Sequence, residues 1–287
     1  MTATLLRYPR AFVTLVKFEH TIFALPFAYV GALAAAYSVP SASELVWVTF
    51  AMVGARTLAM ALNRLIDARI DARNPRTASR ELPRGTLRVA QVVAFAVAAL
   101  GLFLVAVYQL APIVQYLWPI PVIGFVVYPY LKRVTWACHL WLGATIGLAP
   151  VGAWAAIADG FSAEAWAIGL AVAAWVAGFD VLYALLDVEH DRREGLHSIP
   201  ARFGVERAFL ISRALHVAAV ALLIVAGLGL PVGPLWWGGV AVVAALLFHE
   251  HSLVGPGDLR KLNAAFFTMN GVIAVVFFVF VLADVLR

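Results

Sequence analysis

Two short acidic segments stand out in a chain that is otherwise largely apolar: Asn63-Arg64-Leu65-Ile66-Asp67-Ala68-Arg69-Ile70-Asp71, and the stretch Asp180-Val181-Leu182-Tyr183 that runs on to Asp187 and Asp191. On a helix turning about 100° per residue, Asn63, Asp67 and Asp71 fall within roughly 80° of one another. By the same arithmetic Asp180, Asp187 and Asp191 fall within roughly 40°. Each segment therefore presents one oxygen-rich stripe. The first is about 12 Å long, too long for all three groups to ligate one ion, so adjacent pairs are the ligating units. Carboxylates alone repel phosphate, so the chemistry is metal first and phosphate second. Mg2+ suits it, because that ion takes one or two carboxylates, keeps waters and is completed by substrate phosphates. Both stripes end their helices, where the partial negative charge favours cations. Arg64, Arg69, Lys132, Arg133, Arg192, Arg193 and Arg202 are nearby donors for diphosphate oxygens, although most basic residues here are expected to set topology alone.

A lone Asp-x-x-x-Asp is more often a solvated helix end than a site. Two of them, with matching Asp67/Asp71 and Asp187/Asp191 spacing, each preceded by a polar residue closer to the apolar run, reverse that weighting and hint at two related halves. Asp180 lies about two turns inside its boundary, and Arg56 about two turns deeper than Asn63 on the same face. Charges near mid-bilayer cost about 2.5–3.5 kcal/mol each on insertion scales, so they read as functional; an Arg56–Asp180 structural pair is the bland alternative.

The elements that must position these groups are membrane helices. Hydrophobic residues make up 63% of the chain and charged ones 13%, with mean hydropathy +0.91, which excludes a water-soluble domain. Apolar runs fall at about 20–41, 44–66, 89–109, 112–131, 135–157, 162–186, 207–229, 232–249 and 263–286. The expectation is an all-α, polytopic bundle of about nine transmembrane helices forming one domain over residues 1–287, its first span retained and not cleaved. Basic residues occupy alternate connections: Arg7, Arg10 and Lys17; Arg69 to Arg88; Lys132 and Arg133; Arg192 to Arg213; Arg260 and Lys261. The others carry Glu44, Asp159 and Glu164, so the acidic stripes are expected to face the cytoplasm of a bacterial inner membrane. The net charge of +5 needs no nucleic-acid partner, and no protein partner is implied. Trp47, Trp154, Trp166, Trp236 and Trp237 read as interfacial anchors at outer helix ends and Trp136 at an inner one. His249, Glu250 and His251 read as loop residues, and the lone Cys138 as a buried, inert thiol.

The two acidic motifs have neighbours that carry a resemblance. Asn63-xxx-Asp67-xxx-Asp71 followed by Asn74-Pro75-Arg76-Thr77-Ala78-Ser79-Arg80, and Asp180-xx-Tyr183-Ala184-xx-Asp187-xxx-Asp191 followed by His197-Ser198-Ile199-Pro200-Ala201-Arg202, resemble the two signatures of the UbiA-type intramembrane prenyltransferases. Glu19 to Phe27 and Tyr128-Pro129-Tyr130-Leu131-Lys132-Arg133 are smaller matches, and the likeness spans nearly the whole chain in order. The family's first motif commonly begins Asn-Asp, whereas Arg64 stands here, so no ligand is assigned to position 64. That variant looks like the quinone-pathway branch of 4-hydroxybenzoate polyprenyltransferases and the menaquinone prenyltransferase of the futalosine route.

The resemblance implies a helical bundle around a central cavity. It implies Mg2+ held by Asn63, Asp67, Asp71, Asp187 and Asp191, and a polyprenyl diphosphate gripped by Lys132, Arg133 and Arg202. The prenyl group then passes to a small aromatic acceptor, 4-hydroxybenzoate or a dihydroxynaphthoate, in ubiquinone or menaquinone synthesis. From depth and face, Asp180 is the candidate for orienting or deprotonating the acceptor, Arg56 for an acceptor carboxylate or the diphosphate, and Tyr183 for positioning the acids. The rivals are a prenyltransferase for haem, chlorophyllide, homogentisate or a glycerol phosphate, and, from another class, a transporter. A transporter would place its ions near the midplane between repeats, whereas these acids sit at one edge.

Overall fold

The computed structural model describes residues 15, 21–255, 262 and 269–287, and these are predominantly helical. The basic residues expected at 7, 10, 17, 260 and 261, and the start of the Glu19–Phe27 match, lie outside the described residues. The helices are α1 (Thr21–Ala36), α2 (Ala42–Asp71), α3 (Val89–Val107), α4 (Pro112–Leu117), α5 (Pro119–Leu131), α6 (Cys138–Ala158) and α7 (Ala163–Tyr183). A 3-10 turn (Ala184–Asp187) leads into α8 (Val188–Glu194), α9 (Ile199–Phe203), α10 (Val205–Gly229), α11 (Pro234–Leu253) and α12 (Asn270–Val285).

Six described segments are long and apolar enough to cross a bilayer: Ala42–Asp71, Val89–Val107, Pro112–Leu131, Cys138–Ala158, Ala163–Glu194 and Val205–Gly229. The remaining expected spans coincide with α1, α11 and α12. Helix boundaries follow local chemistry. Ser41 and Glu44 form a reciprocal capping box at the start of α2, the Ser41 N–H donating to Glu44 at 2.7 Å. Ser162 caps α7, and Asp284 accepts from the Gly233 and Leu235 N–H groups at the start of α11. Asp159 ends α6 in the left-handed region and accepts from the Ile113 N–H at the start of α4. Glu44, Asp159 and Asp284 thus serve backbone N–H groups at helix starts.

Helix α7 is the central pillar, packed between α6 and α10 and also touching α1. Its Trp175 stacks near Phe27, with centroids 5.0 Å apart, in a core that includes Phe179, Trp236 and Phe277. Gly143 and Gly147 let α6 lie directly against the backbone of α7 at Ala173 and Gly169, since a Cβ at either position would strike those carbonyl oxygens. Helices α2 and α3 pack together, α5 bridges α2 to α6, and α1 closes against α6 and α12. Large apolar residues such as Val97, Val217, Leu228 and Phe248 stay exposed on outward faces, as a lipid-facing surface requires.

Two sequence expectations change here. Trp154 and Trp236 are not interfacial anchors: they are 4% and 1% exposed and belong to the core, where Trp236 meets Phe277 edge-on. His249, Glu250 and His251 are not loop residues but the last turn of α11, where Glu250 is buried and His251 hydrogen-bonds His216 at 2.9 Å. Apolar runs alone do not show where a helix ends when no glycine or proline marks it.

Candidate active site

Helix α2 runs unbroken to Asp71, so Asn63, Asp67 and Asp71 do line one face, and Asp67 and Asp71 are 1% and 4% exposed. Buried carboxylates need partners, and cations supply them. Lys132 and Arg133, just past the end of α5, pair with Asp67, the Arg133 contact being 3.2 Å. Asn63 approaches Asp67 at 3.4 Å. Arg80 places one guanidinium nitrogen 2.7 Å from each oxygen of Asp71. The 72–88 connection folds back to allow this, with Asn74 accepting from the Arg76 N–H and the Thr77 hydroxyl donating to the Asp71 carbonyl.

The second stripe is not one helix face. After Tyr183 the chain takes a 3-10 turn before α8, and its tighter three-residue winding breaks the angular arithmetic that aligned Asp180 with Asp187 and Asp191. Asp187 turns toward the first segment: Arg76 grips it through Nε, at 2.8 Å, and through Nη2, and Asn74 donates to it at 3.0 Å. Arg76 also donates to the Tyr183 hydroxyl at 2.9 Å and lies over that ring. Burial works against the Arg76 charge, but the hydrogen bonds and charge of Asp187 outweigh it and raise the Arg76 pKa. Asp191 lies close to Ser198 and within electrostatic reach of both Asp187 and Lys132. Lys132 therefore stands between Asp67 of the first segment and Asp191 of the second.

This cluster caps a cavity of about 420 Å³ bounded by α2 to α7. Asn63, Arg64, Arg80, Asp180 and Tyr183 lie at its polar end, and Val48, Val114, Trp118, Phe161 and Trp166 carry an apolar lining onward. Arg56 and Arg64 line it too, and the Nε of each has no hydrogen-bond partner among the described residues. Arg64 is 3% exposed, so its unpaired nitrogens are donors awaiting an acceptor. The bland pairing of Arg56 with Asp180 does not occur; Asp180 is held instead by His139 at 2.7 Å. Tyr128 lines the cavity close enough to Arg56 and Asp180 to feel both charges.

The structure thus gathers Asn63, Asp67, Asp71, Asp187, Asp191, Lys132 and Arg133, with Tyr183 joined through Arg76 and with Asp180 and Arg56 set in the cavity. Arg202 is not gathered: it is exposed on α9 and makes none of these ion pairs. Arg76, Arg80, Tyr128 and His139 join without having been singled out as site residues. The donor set suits a hard cation, being carboxylate and carboxamide oxygen throughout, and each acid already attracts a cationic side chain. Among the described residues no three acids, histidines or cysteines converge on one point.

The family model described as the UbiA prenyltransferase family matches residues 24–272. A 4-hydroxybenzoate octaprenyltransferase of Marinobacter nauticus is 30% identical over 270 residues, covering 93% of this chain and 89% of that protein. One from Vibrio cholerae is 27% identical, covering 93% and 91%. Among solved structures, the apo form of a UbiA homolog from Aeropyrum pernix superposes with a TM-score of 0.84 at 33% identity, covering 93% of this chain and 98% of that one. A UbiA homolog from Archaeoglobus fulgidus bound to DMAPP and Mg2+ shares the fold, with a TM-score of 0.77 at 19% identity, covering 96% and 98%.

Proposed function

The chain belongs to the UbiA prenyltransferase family, and from that premise we propose that it is a divalent-metal-dependent polyprenyltransferase. It moves the prenyl group of a polyprenyl diphosphate onto an aromatic quinone precursor, 4-hydroxybenzoate or a dihydroxynaphthoate, at the cytoplasmic face of a bacterial inner membrane. The observation that carries this reading is the ring of ion pairs joining both acidic segments at the polar end of an apolar cavity.

Asn63, Asp67 and Asp71 from α2, with Asp187 and Asp191 beyond α7, are the residues that would hold Mg2+. When bound, the cation neutralises the diphosphate and eases its departure. Arg76, Arg80, Lys132 and Arg133 now neutralise these acids, and they are the donors placed to turn to diphosphate oxygens. Arg64, buried with unpaired nitrogens at the same end, adds a further donor. The allylic C–O bond breaks with both electrons leaving on the diphosphate oxygen. The apolar lining keeps water from the resulting cation. The aromatic ring attacks it, a C–C bond forms and the ring proton is lost. Asp180 is the carboxylate in the cavity that orients the acceptor or takes a proton from it, and Arg56 meets an acceptor carboxylate. A dihydroxynaphthoate and 4-hydroxybenzoate both offer that hydroxyl–carboxylate pair, which favours them over haem or a glycerol phosphate.

The test supplies isolated membranes with labelled polyprenyl diphosphate, Mg2+ and each acceptor in turn, and identifies the lipid product. A labelled prenylated aromatic acid is expected; labelled product only with a non-aromatic acceptor, or none, would refute the reading.

A further inference from the structure

Asp180 faces the cavity, but its other face is fixed. His139, at the start of α6 and 4% exposed, places Nδ1 2.7 Å from Asp180 Oδ2. The opposite ring nitrogen, Nε2, accepts the Ile199 N–H at 3.2 Å. An imidazole nitrogen that accepts carries no proton, so while this bond holds, the single ring proton sits on Nδ1 and is donated to Asp180. One carboxylate oxygen is thereby occupied and the other remains for a cavity ligand. Ile199 is the first residue of α9, whose N–H has no partner within its own helix, and Ser198 serves only the Ala201 N–H.

The tie does not stop at Ile199. The His197 N–H donates to the Lys132 carbonyl at 2.7 Å, and the Cys138 thiol donates to the His197 carbonyl at 3.4 Å. Residues 197–199 are thus fastened at three points, one on the connection between α5 and α6 and two on the first turn of α6. That connection begins with the lysine paired to Asp67, and Ser198 within the fastened segment lies close to Asp191. Both acidic segments therefore bear on the seat of His139.

We propose that His139 is a positioning residue for the acceptor: it locks one oxygen of Asp180 and makes that lock depend on the seating of residues 197–199 beside Asp191. The inference rests on the proposed role of Asp180. Activation of an acceptor hydroxyl then occurs in full only when the diphosphate end is ordered, which guards against premature loss of the prenyl cation to other nucleophiles. A histidine serving only to cap α9 would leave turnover of the folded enzyme unchanged.

The experiment compares purified wild type with His139→Leu, His139→Asn, His139→Gln and Asp180→Asn, using labelled farnesyl diphosphate with 4-hydroxybenzoate or a dihydroxynaphthoate. Glutamine carries a donor for Asp180 and an acceptor for the Ile199 N–H, whereas asparagine is too short to span both. His139→Leu is expected to lower kcat about 10- to 100-fold, with KM for the diphosphate changed by less than about two-fold, and His139→Gln to recover most of the rate. His139→Asn, whose amide takes the place of Nδ1 but reaches no further, is expected to fall between the two, and where the leucine variant is not recovered from membranes, His139→Phe, which offers Asp180 no donor, carries its expectation. On an Asp180→Asn background His139→Leu is expected to add little, since the two act as a unit. Full kcat in His139→Leu while Asp180→Asn is impaired would overturn the inference and leave the proposed function standing. Wild-type enzyme inert toward every aromatic acceptor would overturn both.

Discussion

At the scale of single residues, the site is a set of acids of which Asp67, Asp71 and Asp187 already pair with cationic side chains, which separates loss of function from loss of fold. Asp187→Asn keeps an oxygen for the Arg76 Nε–H, and the Arg76 side chain is 32% exposed, so the surrendered charge is largely screened. The stability loss should stay near or below about 1 kcal/mol. The same change removes a charge from the region where diphosphate charge must be neutralised, and prenyl transfer should fall on the order of 100-fold or more, about 2.7 kcal/mol of barrier. Asp67→Asn should lose transfer to a similar degree but cost more stability, because Asp67 is 1% exposed and its charge is what Lys132 and Arg133 pair with. Measuring Mg2+-dependent transfer against protein recovered from membranes checks both, and near-wild-type turnover in either would sink the metal assignment. Arg56→Ala should raise KM for a carboxylated acceptor by about ten-fold or more while sparing KM for the diphosphate, since a hydrogen bond to a charged group contributes about 1.5–3 kcal/mol; an unchanged acceptor KM would leave Arg56 structural. The acids were legible because two matching pairs, each extended by a polar residue toward the apolar run, are hard to explain as solvated helix ends. Their partners Arg76 and Arg80 were not, because a basic residue in such a connection is already accounted for by topology. His139 and Tyr128 sit among apolar neighbours, and only the fold reveals which groups they face.

At the scale of elements, the difference between the two acidic segments is instructive. Helix α2 continues to Asp71, so four-residue spacing translates into one face. Helix α7 gives way at Ala184–Asp187, where Ala-Leu-Leu-Asp contains neither glycine nor proline, and nothing local announced the tighter turn. That turn separates two jobs, leaving Asp180 in the cavity while Asp187 swings to Arg76. Placement of Asp180 depends further on how closely α6 and α7 pack. Gly143→Val should force them apart, because the added atoms meet the Ala173 carbonyl and backbone cannot yield as a flexible side chain does. A cost of about 1–3 kcal/mol is expected, seen as a lowered unfolding temperature in detergent. Gly101→Ala on α3, with open space around its position, serves as the control and should be neutral or stabilising by about 0.5–1 kcal/mol. Equal effects of the two substitutions would show that the α6–α7 contact is not the constraint.

At the scale of the whole molecule, composition and the alternation of charge were enough to read a helical membrane protein, because water exclusion admits so few architectures. The cavity was expected from the resemblance alone and not from the residues that line it, since these are as apolar as those facing lipid and differ only in which side of a helix they occupy. The proposed orientation rests on the asymmetry of the connections. The 72–88 segment carries Arg73, Arg76, Arg80, Arg84 and Arg88, whereas the α1–α2 connection at the opposite end holds Ser38 and no basic residue. Arg84 and Ser38 are both exposed, and the native Cys138 is 4% exposed, so background labelling should be low. An impermeant maleimide applied to right-side-out vesicles should therefore label Ser38→Cys and spare Arg84→Cys, with the pattern reversed in inverted vesicles. The opposite pattern would place the acidic cluster outside the cell, away from a cytoplasmic supply of diphosphate substrate. It would thus overturn the proposed sidedness even if transfer itself were intact in detergent.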